Sequence, residues 1–245
     1  MGKKEVVGSM SEWSGVLKDF FRQINDGSKT LRQVQLFLEN KNPFNEQIAG
    51  VSSNTLSDLF DRQLEILHDR GCPNLFLAAL FSQKSQVLAK ASGMTFREGH
   101  IPFLPVIPFS SLKSSTQMAM VRNGSQTGVS CLDVSDIKDI VKIPADLYYI
   151  FDVEDGTDTL GQSVVSAERS IKFRGRSPLT AAEVISLGIQ TDVLSKHYVD
   201  ASGSRYGSGV RAPLLFLHDG EPGLNSFYDD DSNGKWGSAS CGSRS

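Results

Sequence analysis

The chain has 245 residues, with Lys+Arg 25 against Asp+Glu 28 and a formal net charge of -3. That balance argues against a nucleic-acid binder, which needs a positive excess to displace counterions from phosphates. Hydrophobic residues make up 39% of the chain, enough for a core and too many for a disordered polymer, and no apolar run approaches the ~20 residues that span a bilayer.

The first 92 residues read as helical. Trp13, Val16, Leu17, Phe20, Phe21 and Ile24 follow a helical period that Gly27 stops, and Leu31, Val34, Phe37 and Leu38 make a shorter second pattern. Residues 42 to 54 are polar, broken by Pro43 and Gly50, and read as a linker. A third helix traces one face through Leu56, Leu59, Phe60, Gln63 and Leu67. Thr55 and Asp58 have capping-box spacing at its start, while Gly71 and Pro73 end it. A fourth helix is expected from Leu75 to Lys90.

The pattern changes after Gly99. Ile101 to Phe109 carries Pro102, Pro105 and Pro108, and proline lacks an amide donor, so an edge strand or an extended segment is expected rather than a central strand. Met118 to Val121 and Gly128 to Leu132 read as short strands around Asn123-Gly124. Leu147 to Val153 is continuous, aromatic and β-branched, as a buried central strand is. Thr180 and Glu183 then form a capping box ahead of Val184, Ile185 and Leu187. Strands follow at His197 to Ala201 and Pro213 to His218, and Leu224 to Tyr228 with Trp236 to Ser240 reads as a hairpin around Asn233-Gly234. Helices first and strands mostly later is an α+β order: N-terminal helices, then a mixed or antiparallel sheet with one or two packed helices. The domain expectation is a helical extension over residues 1–50 and a main α+β domain over 51–245.

Cys72, Cys131 and Cys241 are too few and too scattered for a disulfide framework or a C-x-x-C site. The opening MGKKEVVGSM lacks the apolar stretch of a secretory signal. A cytoplasmic location is therefore expected. No phosphate-binding glycine motif precedes a helix and no histidines have ligand spacing, so neither cofactor nor metal is expected.

FDRQ at Phe60 to Gln63, RGCP at Arg70 to Pro73, DVEDG at Asp152 to Gly156 and RGRSPLT at Arg174 to Thr180 occur in that order. GSR at Gly203 to Arg205, RAPLL at Arg211 to Leu215 and WGSAS at Trp236 to Ser240 follow. This set resembles a bacterial domain family of unknown function over roughly residues 56 to 244, leaving the first 50 outside. The resemblance implies no activity and carries no site residues across. One departure is the segment LNSFYDDDSNGKW, where the family tends to be rich in tryptophan.

Three constellations bear chemistry. Arg174, Gly175, Arg176, Ser177 and Thr180 precede a helix whose free amides and dipole favour an anion, and Arg205 and Arg211 in later glycine-rich segments are candidates to join them. Equally, these arginines can neutralise the eight acids between Asp133 and Asp158, and Glu183 weakens the attraction for an outside anion. The second is acidic: Asp152, Glu154 and Asp155, with Asp158, at the end of the strongest strand, suited to acid–base work, to a divalent cation or simply to a solvated turn. The third, Asp229, Asp231, Asn233 and Gly234, matches the opening of a calcium loop but lacks its closing glutamate, and a turn explains it more simply. Cys241 with His218 as base is a weaker nucleophile pair.

Three functions follow as expectations. The first is a binding module for an anionic small molecule or peptide carboxylate at Arg174, Arg176, Ser177, Thr180, Arg205 and Arg211, with no role for nucleic acid or membrane. The second is a metal-assisted hydrolase or transferase using Asp152 and Glu154. The third is an interaction protein that docks a partner through residues 11–40.

Overall fold

The computed structural model describes residues 53–245. The two helices expected within residues 11–40, and the docking role given to them, lie outside these residues.

Helix α1 (Ser53–Asp69) starts two residues before Thr55, so Thr55 sits inside its first turn rather than at its cap. Its end is as expected: Gly71 takes φ 86°, and the Gly71 and Cys72 amides return to His68 and Leu67. The single helix expected from Leu75 to Lys90 is two, α2 (Asn74–Phe81) and α3 (Lys84–Ser92). The break at Ser82-Gln83 contains neither glycine nor proline. There Ser82 Oγ donates back to Ala79 O at 2.7 Å, and Gln83 Nε2 donates to Leu147 O at 2.9 Å, 64 residues away.

Two sheets flank one buried helix. The smaller has the order β1 (Ile101–Val106), β6 (Tyr148–Val153), β14 (Ser243–Arg244), all antiparallel. β6 is central and β1 is an edge, as the prolines require. The open side of β1 is closed by side chains instead of a strand: Gln63 Nε2 donates to Phe103 O at 2.7 Å, and Ser186 Oγ donates to Pro105 O. Behind it, Phe60 stacks on Tyr149 with ring centroids 5.4 Å apart.

The larger sheet runs β12 (Trp236–Ser238), β8 (Tyr198–Asp200), β10 (Arg211–His218), β11 (Glu221–Tyr228), β4 (Val129–Ser130). It is mixed, since β12 with β8 and β4 with β11 are parallel pairs. β5 (Ile137–Asp139) and β9 (Ser204–Tyr206) extend it beside β10. The long hairpin joins β10 to β11 through Asp219 and Gly220, which take φ 49° and 86°. The hairpin expected around Asn233-Gly234 does not form, because β12 crosses to the far side of β8. Nor is Met118 in a strand: it ends helix α4 (Ser114–Met118), and the small hairpin β2 (Arg122–Asn123), β3 (Gln126–Thr127) follows it.

Helix α6 (Ala181–Gln190) touches both β1 and β10. Every residue from Ala181 to Ile189 is buried, which is why its sequence AAEVISLGI is apolar nearly all round. Gly188 lets it lie on the sheet, for a Cβ there would stand 2.5 Å from Leu215 Cδ2. Helix α5 (Val164–Phe173) packs against β12 and against β7 (Ser177–Pro178), which pairs with β13 (Ser240–Cys241). The domain is α+β.

Candidate functional site

The last turn of β6 is backbone-strained. Asp152 has φ 53°, a left-handed value that L side chains rarely adopt. It is held there from three sides. His100 Nδ1 lies 2.7 Å from Asp152 Oδ1; an ionised carboxylate only accepts, so Nδ1 carries the proton. Arg176 Nη1 donates to Asp152 Oδ2 and Nη2 to the Asp152 carbonyl. The Gly242 amide also donates to that carbonyl at 3.2 Å. Burial pushes the Asp152 carboxyl up, but the bonds from His100 and Arg176 outweigh it and hold it below its ordinary value.

Arg176 links this carboxylate to the next. Its Nε donates to Ser240 Oγ at 2.9 Å, and Ser240 Oγ donates weakly to Glu154 Oε2 at 3.4 Å. Glu154 is buried, and its other oxygen accepts the Gly156 and Asp158 amides, both at 2.9 Å. Burial raises its carboxyl above the usual range. Asp155 turns elsewhere. It accepts from Thr157 Oγ1 at 2.6 Å and faces His197 Nε2 at 3.7 Å. The expected acidic group is thus two carboxylates bridged through Arg176 and Ser240, with Asp155 turned away to Thr157 and His197. Among the described residues, no group of three or more His, Cys, Asp or Glu is placed to hold a metal ion.

The opening amides of α6 do not face an outside anion. Glu183 fills that place: its Oε2 accepts the Thr180 amide at 2.7 Å, closing the capping box. Ser204 Oγ accepts the Ala181 amide at 2.9 Å. Arg244 then neutralises Glu183 with two bonds, Nε to Oε1 at 2.6 Å and Nη2 to Oε2 at 2.8 Å. Arg244 also donates to Ser177 Oγ at 2.6 Å and Pro178 O at 2.9 Å. Thr180 and Glu183 have no exposure at all.

The six residues expected to bind a ligand therefore part company. Arg176, Ser177 and Thr180 serve the internal network just described. Arg205 pairs with Glu168 at 2.8 Å and Asp229 at 3.4 Å. Arg211 Nη2 donates to Ser226 O at 2.9 Å, and its guanidinium lies 5.4 Å from the Tyr228 ring centre. Arg174 alone opens on a groove. It follows the last turn of α5, where Gly175 at φ 69° reverses the chain. The groove, about 510 Å³, is lined by Asp158, Arg169, Ser170, Phe173 and Arg174. Arg174 Nη1 donates to Asp158 Oδ2 at 2.5 Å, while its Nη2 is buried with no partner among the described residues. Arg169 is exposed and no carboxylate of the described residues reaches it. Phe173 is 93% exposed.

Two lesser candidates dissolve. Cys241 is fully buried with its thiol pushed up to about 12 by burial, and His218 sits exposed beside Asp219 at the tip of the long hairpin. In the calcium-like segment, Asn233 Oδ1 accepts the Lys235 amide at 2.9 Å and Asp229 is spent on Arg205, as in a structural turn.

Sequence reasoning missed His100, Arg169, Phe173 and Arg244. Phe173 and Arg169 were visible as an apolar and a basic residue on one helix turn, four apart. Nothing local marks Arg244, whose partner lies 61 residues away.

The quoted motifs acquire structural reasons. Gly156 and Gly237, from DVEDG and WGSAS, touch backbone to backbone, and a Cβ on Gly237 would stand 2.1 Å from Gly156 O. Gly203 in GSR lies against Leu179, where a Cβ would meet its carbonyl at 2.8 Å. Arg70 in RGCP donates to Met120 O at 3.0 Å. No curated protein and no solved structure matches the chain. A family model does match, over residues 66–244, and covers most of the motifs. By that match the chain belongs to DUF5701, a family of unknown function.

Proposed function

We propose that the protein is a binding module for an anionic small molecule or a peptide carboxylate, seated in the groove on α5. The observation that carries the reading is a pair of guanidiniums with spare donors at one groove: Arg169 without a carboxylate, and Arg174 with an unpartnered Nη2. Arginine suits carboxylate and phosphate because its donors form a planar fork. Phe173 beside them offers an apolar contact for the body of the ligand. Asp158 already holds Arg174, so an incoming anion competes with it, and Arg169 is the cleaner anchor.

The test is a calorimetric and thermal-shift series with nucleotides, sugar phosphates and short peptides ending in a free carboxylate. Arg169→Ala and Phe173→Ser should each weaken a hit without lowering the melting temperature. A hit that survives both substitutions unchanged overturns the assignment.

A second reading, acid–base chemistry at Asp152 and Glu154, draws support from the strained φ of Asp152 and from His100, whose Nε2 has no partner among the described residues. Against it, both Asp152 oxygens are already engaged. Metal-dependent stabilisation that vanishes in Asp152→Asn would favour it. Docking through residues 11–40 rests on the sequence pattern alone, and deleting residues 1–50 tests it by the loss of a pulldown partner. A reducing compartment fits three free cysteines, and no helix of the described residues is long and apolar enough to cross a membrane.

A further inference from the structure

The larger sheet has one face that the groove on α5 does not use. Register fixes its members. Leu214 pairs with Asp200 and with Asn225, and Asp200 pairs with Ser238, so these four side chains share a face. One row along, Tyr198 pairs with Trp236, and alternation adds Phe216 and Phe227 to the same side.

The rings on this face converge. Tyr198 and Phe216 lie 6.2 Å apart, Phe216 and Phe227 6.0 Å, Phe227 and Trp236 5.0 Å between centroids. Phe227 and Trp236 stand on strands separated by two others, roughly 14 Å apart at the usual strand spacing. Their rings nonetheless meet across the two strands between them. All four rings remain partly exposed.

The same face holds a buried carboxyl without a partner among the described residues. Asp200 is 2% exposed, and no hydrogen bond or ion pair of the described residues reaches its carboxyl. Ser238 Oγ, on its register partner, is also buried and without a partner. A buried carboxylate normally has a donor or a cation beside it, and each exception asks for an explanation. Aromatic faces carry negative potential at their centres. They would make a carboxylate's surroundings worse for an anion and better for a cation.

We propose that this aromatic face binds an organic cation, an ammonium group held by Asp200 and Ser238 with its alkyl substituents against Tyr198, Phe216, Phe227 and Trp236. Burial alone raises the Asp200 carboxyl to about 7, so an empty site keeps a proton there part of the time, and a bound cation takes the proton's place. The site shares no residue with the α5 groove and stands or falls apart from it.

Trp236 makes the test direct, since the chain has only two tryptophans. In a Trp13→Phe background of the full chain, Trp236 alone emits. Choline should change its emission saturably, and the neutral carbon isostere 3,3-dimethylbutanol should bind about tenfold more weakly. Asp200→Asn should abolish that preference while the circular dichroism spectrum is unchanged. If that variant fails to fold, Phe216→Leu, which keeps apolar volume and removes a ring, should weaken choline about fivefold as read by saturation-transfer NMR. Equal binding of the neutral isostere overturns the proposal. So does a preference that persists in folded Asp200→Asn, an unchanged affinity in Phe216→Leu, or the absence of any saturable response to choline.

Discussion

Arg244, one residue from the end of the chain, clasps Glu183 with two bonds of 2.6 and 2.8 Å. Glu183 is the N3 residue of the central helix, and its carboxylate stands where an outside anion was expected. The fold has supplied its own anion to that helix end and its own cation to balance it. Tyr148 Oη completes the set with a bond to Glu183 Oε1 at 2.8 Å.

Arg244→Met should therefore destabilise the protein by about 3–5 kcal/mol, because it leaves Glu183 charged, buried and unpaired. Arg244→Lys should restore only part of the loss, since an ammonium cannot supply the paired fork and reach Ser177 and Pro178 as well. Urea unfolding at neutral pH measures both. A loss under about 1 kcal/mol for Arg244→Met would mean the pair matters no more than a surface bridge.

Asp152 separates strain from bonding. Asp152→Ala and Asp152→Gly both remove the carboxylate that holds His100 and Arg176. Only alanine must also tolerate φ 53° with a Cβ. Alanine should thus be the less stable variant by about 1 kcal/mol. Equal urea midpoints would show that the backbone relaxes once the bonds are gone.

Asp200 predicts a pH dependence with a definite sign. Its carboxyl moves from 3.8 to about 7 on folding, so between those values the folded protein keeps a proton that the unfolded chain releases. Stability then falls as pH rises across that window and levels above it, by up to about 4 kcal/mol from this group. Glu154 and Asp139 are also raised by burial and slope the same way, so the difference between wild type and Asp200→Asn isolates the effect. That difference should shift in favour of the variant from pH 4 to pH 7, as read by chemical denaturation at each pH. A flat difference would place Asp200 beside a donor.

Two glycines should differ sharply. Gly237→Ala drives a Cβ to 2.1 Å from the Gly156 carbonyl oxygen and should cost more than about 3 kcal/mol, since backbone must move on both sides. Gly175→Ala meets no atom within 4 Å and suffers only from φ 69°, which costs about 1 kcal/mol. Melting temperatures of the pair rank the two mechanisms, and the reverse order would contradict the close approach of β12 to Gly156.

Local rules carried the sequence reading where the cause was local. The Thr180–Glu183 box, the Gly71 stop, the prolines of an edge strand and the aromatic run of β6 each act over a few residues, and the structure has all four. The hairpin shows how a local rule can pick the wrong partner. Asp219-Gly220 is a two-residue link between the strands it joins, whereas Asn233-Gly234 sits within seven polar residues from Asp229 to Lys235. The shorter link wins because it holds register at once, and the longer one leaves β12 free to cross the sheet.

By itself, the sequence determined an α+β chain, the central strand, the Thr180–Glu183 cap and the Gly71 stop, because propensity, periodicity and capping are written in neighbouring residues. Only the tertiary structure decided which charge meets which. Arg176 finds Asp152 across 24 residues and Arg244 finds Glu183 across 61, while Asp200 finds no partner and Arg169 faces solvent. Ion pairing has no period along a chain. It is set by which strands come to lie side by side: β13 beside β7 brings Arg176 to Ser240, and β14 beside β6 carries Arg244 to Glu183.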